Sequence, residues 1–145
     1  MHKIHLKGPW LYEWVETSVE TEASDVIEQS GTVKMPGAWQ QQFGELTGKV
    51  QLRRRFHWLA KLEVGQIVEL VFNGVNGTGA VSVNEQPLGE LSSSDQPTRF
   101  EITQLLQDAN WLVVELEYQD SSNTAPGGLW APVTLEITEP EPAGQ

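Results

Sequence analysis

The sequence predicts an all-β fold, an antiparallel β-sandwich of the jelly-roll type. Three observations carry that expectation. Alternation of apolar and polar residues with period two recurs along the chain, while helical periodicity is nearly absent. The alternating runs are short and joined by loops rather than crossover helices, which points to antiparallel sheets. At 145 residues the chain is long enough to bury one ordinary core and too short for two.

Weaker strands open the chain at Glu13 to Glu20, Val26 to Met35 and Val50 to Trp58. The clearest strand runs from Ile67 to Phe72, with Val68, Leu70 and Phe72 on one face. Val81 and Val83 share a face in the segment Ala80 to Asn84. From Trp111 to Tyr118, Leu112, Val114, Leu116 and Tyr118 point inward and Glu115 and Glu117 outward. Val133, Leu135 and Ile137 alternate with Thr134, Glu136 and Thr138. The predicted core is Leu70, Phe72, Val83, Leu112, Val114, Leu116 and Leu135. Turns are expected at Glu63 to Gln66, Gly74 to Gly79 and Ser92 to Asp95. One helical turn fits Ile102 to Gln107, with Thr103 as its cap. The ending Glu139-Pro-Glu-Pro-Ala-Gly-Gln145 reads as a frayed end or the start of a linker, so the domain is placed at residues 1–138 and the tail at 139–145.

Composition narrows the function classes. The formal net charge is −11, which repels phosphate backbones and anionic lipid, so nucleic acid and membrane surfaces are not expected as partners. No run approaches the ~20 apolar residues of a membrane span. The N-terminus lacks an apolar leader core. The default expectation is therefore a cytoplasmic protein, the alternative being a chain whose leader has been removed. With no cysteine, neither disulfides nor thiolate metal sites are available. His2 and His5 would face opposite sides of a strand. Asp95, Asp108 and Asp120 do not form a calcium loop of the EF type. No metal and no cofactor are expected. Six Trp, four Phe and two Tyr supply the core of a fold without covalent staples.

Two loops stand out by length, Met35 to Lys49 and Gln119 to Leu129. Long polar loops carrying isolated aromatics are where a β-scaffold usually keeps its binding function. Around them lie six ordered motifs: Leu6-Lys-Gly-Pro-Trp10, Met35-Pro-Gly-Ala-Trp39-Gln40, Leu52-Arg-Arg-Arg-Phe56, Val81-Ser-Val-Asn84 with Gly89, Phe100-Glu-Ile-Thr103 with Leu105, Leu106 and Asn110, and Gly127-Gly-Leu-Trp130-Ala-Pro-Val133. In this order, along nearly the whole chain, they resemble the N-terminal sugar-binding domain of family 2 glycoside hydrolases, the group of β-galactosidases, β-glucuronidases and β-mannosidases. The resemblance implies a jelly roll of the galactose-binding-domain-like kind. It also implies that the catalytic carboxylates belong to a following (β/α)₈ barrel, which this chain does not contain. The sequence departs from the family at Leu52 for Tyr, Glu85 for the hairpin Gly and Ala131 for Arg.

Sugar recognition needs a flat aromatic face plus amides, hydroxyls or carboxylates for vicinal hydroxyl groups. Trp39, Gln40, Gln41, Asp120, Asn123 and Trp130 supply those types, and Trp39, Gln40, Asp120, Asn123 and Trp130 are the candidate sugar-binding residues. Each has a plainer reading beside it: motif tryptophans as packing residues, Asp120 and Asn123 as turn formers. Trp39, Asp120 and Asn123 are expected to border one shallow cleft at the end where the two loops meet. Arg54 shares the parity of Leu52 and Phe56, so it is expected to be buried against a carboxylate. Trp111 has outward parity, as an interaction face or as a residue under a loop. The function expected is a non-catalytic carbohydrate-binding or accessory domain with a carbohydrate ligand. The alternatives are a protein-interaction or self-association module on the same fold, or a fragment of a larger glycoside hydrolase acting in carbohydrate metabolism.

Overall fold

The computed structural model describes residues 2–17, 30–43, 47–58, 62–119 and 126–138. They contain strands β1 (His2–His5), β2 (Trp10–Thr17), β3 (Ser30–Val33), β4 (Gly48–His57), β5 (Ile67–Phe72), β6 (Thr78–Val83), β7 (Gln86–Leu91), β8 (Thr98–Glu101), β9 (Ala109–Tyr118) and β10 (Val133–Thr138). One short helix, α1, covers Trp39–Phe43, and a 3₁₀ turn covers Thr103–Leu105. The strands form two sheets, one of four in the order β1-β10-β5-β8 and one of six in the order β3-β2-β4-β9-β6-β7. Every pairing is antiparallel. The fold is an all-β antiparallel sandwich. No helix among the described residues is long and apolar enough to cross a membrane.

Alternation explains the core. On β9 the buried positions are Asn110, Leu112, Leu116, Val114 and Tyr118, every second residue of the strand. All seven predicted core residues are at most 1% exposed. They face one another across the two sheets and join Trp10, Trp39 and Leu52 in a single cluster.

Two local expectations need correction. Thr103 does not cap the 3₁₀ turn, which has no side-chain cap. Its Oγ1 instead accepts from the Val68 amide at 2.9 Å, tying the turn to β5. Arg54 keeps its predicted parity, because β4 pairs with β9 without a bulge, yet it is only half-buried and has no carboxylate partner among the described residues. Its guanidinium reaches the sandwich rim, where Nε donates to the Lys7 carbonyl at 2.9 Å and Nη1 to the Arg55 carbonyl. Backbone carbonyls there satisfy the donors that a buried position would have required a carboxylate to meet.

A buried carboxylate with ion-pair partners lies on the other sheet, on β10. Glu136 is 1% exposed although its parity on β10 is outward. Arg99 Nη1 sits 2.9 Å from its Oε1 and 3.5 Å from Glu69, and Lys3 Nζ lies 3.9 Å from its Oε2. The carboxylate is covered, while the Arg99 and Lys3 side chains stay 44% and 52% exposed. The Arg99 guanidinium is raised above its ordinary pKa, chiefly by the hydrogen bond to Glu136.

Candidate functional site

The segment 35–43, expected as open loop, closes into α1. Trp39 and Phe43, four residues apart, lie on one helical face. Both rings enter an aromatic cluster with Trp14 and Tyr118. Trp39 meets Phe43 at 4.8 Å, Tyr118 at 5.3 Å and Trp14 at 5.7 Å between centroids. These are the edge and tilted geometries that aromatic quadrupoles favour. Burying one side of so short a helix, rather than helix propensity, accounts for its formation.

That packing corrects the expectation for Trp39. Its indole is 0% exposed, so it offers no open face for a sugar ring. Gln40 is also committed. Its Oε1 accepts from the Gly127 amide at 2.9 Å and its Nε2 donates to the Tyr118 hydroxyl at 3.0 Å. The Trp39 amide donates to the Gly127 carbonyl at 2.8 Å. The chain can pass this closely only because Gly127 lacks a side chain. A Cβ there would lie 2.6 Å from the Tyr118 ring. The described parts of the two long loops therefore meet, with Trp39 and Gln40 clamped onto Gly127.

Beyond the clamp the chain stays buried at Gly128 and Leu129. Asn76 and Gly128 form an isolated antiparallel bridge, and Val75 and Ser94 form another. Asn76 Nδ2 donates to the Pro126 carbonyl at 3.1 Å. Ser93 Oγ accepts from the Gly77 amide at 2.8 Å and donates towards Asn76 Oδ1 at 3.4 Å. Three loops are thus sewn together around an open cleft of about 370 Å³, lined by Asn76, Ser93, Ser94, Asp95, Pro126 and Trp130, with Val75 at its base. Trp130 is half-buried. Part of its ring lies on Gly74, where a Cβ would meet the indole at 2.4 Å.

This cleft combines an indole with a carboxylate, two hydroxyls and an amide. Those groups can stack on an apolar ring face and exchange hydrogen bonds with hydroxyls. Of the candidate residues, Trp130 is on the cleft, Trp39 and Gln40 position the loop that carries it, and Asp120 and Asn123 lie outside the described residues. Asn76, Ser93, Ser94 and Asp95 were legible in the sequence only as turn formers. Nothing in a linear reading brings the turns at 74–79 and 92–95 beside Trp130. Among the described residues, no three His, Asp or Glu side chains gather where they could hold a metal ion.

No family model and no curated protein matches the sequence. Solved structures do match. An FMN-binding β-glucuronidase from Faecalibacterium prausnitzii superimposes with a TM-score of 0.74 at 21% identity, over 96% of this chain and 22% of that one. The fold is one that glycosidases contain. A putative β-galactosidase from Bacteroides fragilis gives 0.72 at 22% identity, over 95% of this chain and 23% of that one. A β-glucuronidase from Bifidobacterium dentium, complexed with coumarin-3-O-glucuronide, gives 0.72 at 20% identity, over 94% and 30%. The chain thus spans less than a third of the length of these three glycosidases.

Proposed function

We propose that this chain is a non-catalytic carbohydrate-binding or accessory domain related to the sugar-binding domain of family 2 glycoside hydrolases. On this reading Trp130 stacks on the sugar, and Asp120 and Asn123, which precede Pro126 in the sequence, are further sugar-binding residues. The observation that carries the reading is the half-buried Trp130 beside Asn76, Ser93, Ser94 and Asp95 in one open cleft. Similarity to one part of glycosidase chains supports the same class of ligand. The domain serves either alone or as a piece of a larger hydrolase in carbohydrate metabolism. It does not itself turn over glycosides, because the family's catalytic carboxylates belong to the barrel.

Glycan-array screening followed by titration tests this. Binding is expected to be weak, since an open cleft leaves most sugar hydroxyls in water. Trp130→Ala and Asp120→Ala are each expected to abolish it while the fold is retained. Binding that survives both substitutions sinks the site. Turnover of aryl galactosides, glucuronides or mannosides that disappears on changing one Asp or Glu of this chain sinks the non-catalytic reading.

A further inference from the structure

The outer face of the six-stranded sheet carries a second cavity, remote in the chain from the cleft at Trp130. Its volume is about 460 Å³, and its lining includes Arg53 on β4, Ser82 on β6, Asn84 and Glu85 in the following turn, Gln107, and Trp111 on β9. Trp111 is 39% exposed. Arg55 is its cross-strand partner and Arg53 lies one pleat along. The Cζ of each guanidinium is 6.0 Å from the Trp111 ring centroid, at the outer limit of a cation–π contact.

These two arginines stand out in so acidic a chain. With 20 Asp and Glu against 9 Lys and Arg, carboxylate partners are plentiful. Arg99 takes two of them, yet neither Arg53 nor Arg55 enters an ion pair among the described residues. Arg53 Nε is buried and has no hydrogen-bond acceptor there. A buried, charged donor without an acceptor is costly, and an arriving anion would relieve that cost.

The wall of the cavity is held in place independently of any ligand. Asn84 Nδ2 donates to the Leu105 carbonyl at 2.8 Å and to Asn110 Oδ1 at 2.9 Å, and its Oδ1 accepts from the Trp111 amide at 3.0 Å. Trp111 is thereby fixed at its own backbone, and the cavity needs little reorganisation to bind.

We propose that this cavity binds an acidic saccharide, a pyranose bearing a carboxylate or a sulfate. The anion pairs with Arg53 and Arg55, and an apolar ring face lies against Trp111. Ser82, Gln107 and Glu85 supply a hydroxyl, an amide and a carboxylate for the ring hydroxyls. The net charge of −11 opposes long polyanions but not a ligand with one or two charges. At physiological salt, charges beyond about 8 Å are largely screened, and nearby the two guanidiniums of Arg53 and Arg55 outnumber the one carboxylate of Glu85.

Three probes separate the possibilities: trigalacturonate for the carboxylate, a sulfated heparin disaccharide for the sulfate, and neutral galactotriose as control. Titration calorimetry is expected to show binding of at least one acidic probe and none of the neutral one at this cavity. Arg53→Gln with Arg55→Gln, or Trp111→Ala, is expected to weaken that binding about tenfold or more. Raising NaCl from about 50 to about 500 mM is expected to do likewise. Trp130→Ala leaves it unchanged, so the result stands apart from the fate of the first cleft. All substituted positions are at least partly exposed, and melting curves check that each variant folds. Equal affinity for the neutral probe in the Trp130→Ala variant, or unchanged acidic-probe affinity in the double arginine variant, overturns the proposal. So does the absence of heat with both acidic probes at about 10 mM. Concentration-dependent self-association that Trp111→Ala abolishes, without acidic-probe binding, overturns it in favour of a protein interface.

Discussion

At the tip joining β6 to β7, Asn84 and Glu85 both have positive φ, 52° and 69°. A two-residue hairpin of this kind is the pattern that Asn-Gly fills best, and Asn84 stands where such a turn wants Asn. Glu85 stands where the resemblance puts Gly, and it holds a left-handed conformation that strains an L side chain. Glu85→Gly relieves that strain but adds chain entropy to the unfolded state. The net gain is expected to be about 0.5–1 kcal/mol, or roughly 2–4 °C in Tm. Thermal melts check it, and a lower Tm would show that the Glu85 side chain contributes more than its backbone loses. Asn84 also shows how far single residues were legible. The hairpin was readable from its motif, but the bonds from Asn84 to Leu105 and from Asn110 to Phe56 were not. They join residues distant in sequence, and no local pattern announces them.

Among elements, legibility followed length and alternation. The ten-residue β9 alternates cleanly and its inward face was read correctly, as was that of the six-residue β5, whose last three residues are all buried. The edge strands β7 and β8 carry few apolar residues and were not named as strands. Helix α1 has five residues, three of them Gln, too short for a helical period to register. Its cause is tertiary, the aromatic cluster beneath it. Two motif tryptophans that look alike in sequence therefore have different roles. Trp39→Ala would open a void under α1, and a stability loss of about 3–5 kcal/mol is expected. Trp130→Ala removes a half-buried ring from a cleft wall, with an expected loss of about 1–2 kcal/mol. Denaturant unfolding of both variants checks the ordering. Equal losses would mean that Trp130, too, is a packing residue and that the cleft is incidental.

For the whole molecule, charge was the most legible property and its placement the least. Twenty acidic residues face nine basic ones, giving a net charge of −11. Among the described residues, the ion pairs gather at one spot, where Lys3 and Arg99 meet Glu136 and Glu69 on the outer face of the four-stranded sheet. On the six-stranded sheet, Glu90, Glu115 and Glu117 share one open cavity with Lys49 as its single cation. Most of the negative charge therefore opposes compaction rather than stabilising it. Mobile ions screen exposed, like-charged groups strongly, because the Debye length falls from about 30 Å at 0.01 M to about 8 Å at 0.15 M. The Arg99–Glu136 contact involves a carboxylate that is 1% exposed, so added salt weakens it less. Repulsion loses more than attraction does. Raising NaCl from about 10 mM to about 150 mM at constant pH should therefore raise Tm, by roughly 1–4 °C. Chloride rather than sulfate is the appropriate salt, since sulfate stabilises folded proteins generally by exclusion from their surface. A Tm that falls over the same range would mean that attractive surface pairs outweigh the excess of carboxylates.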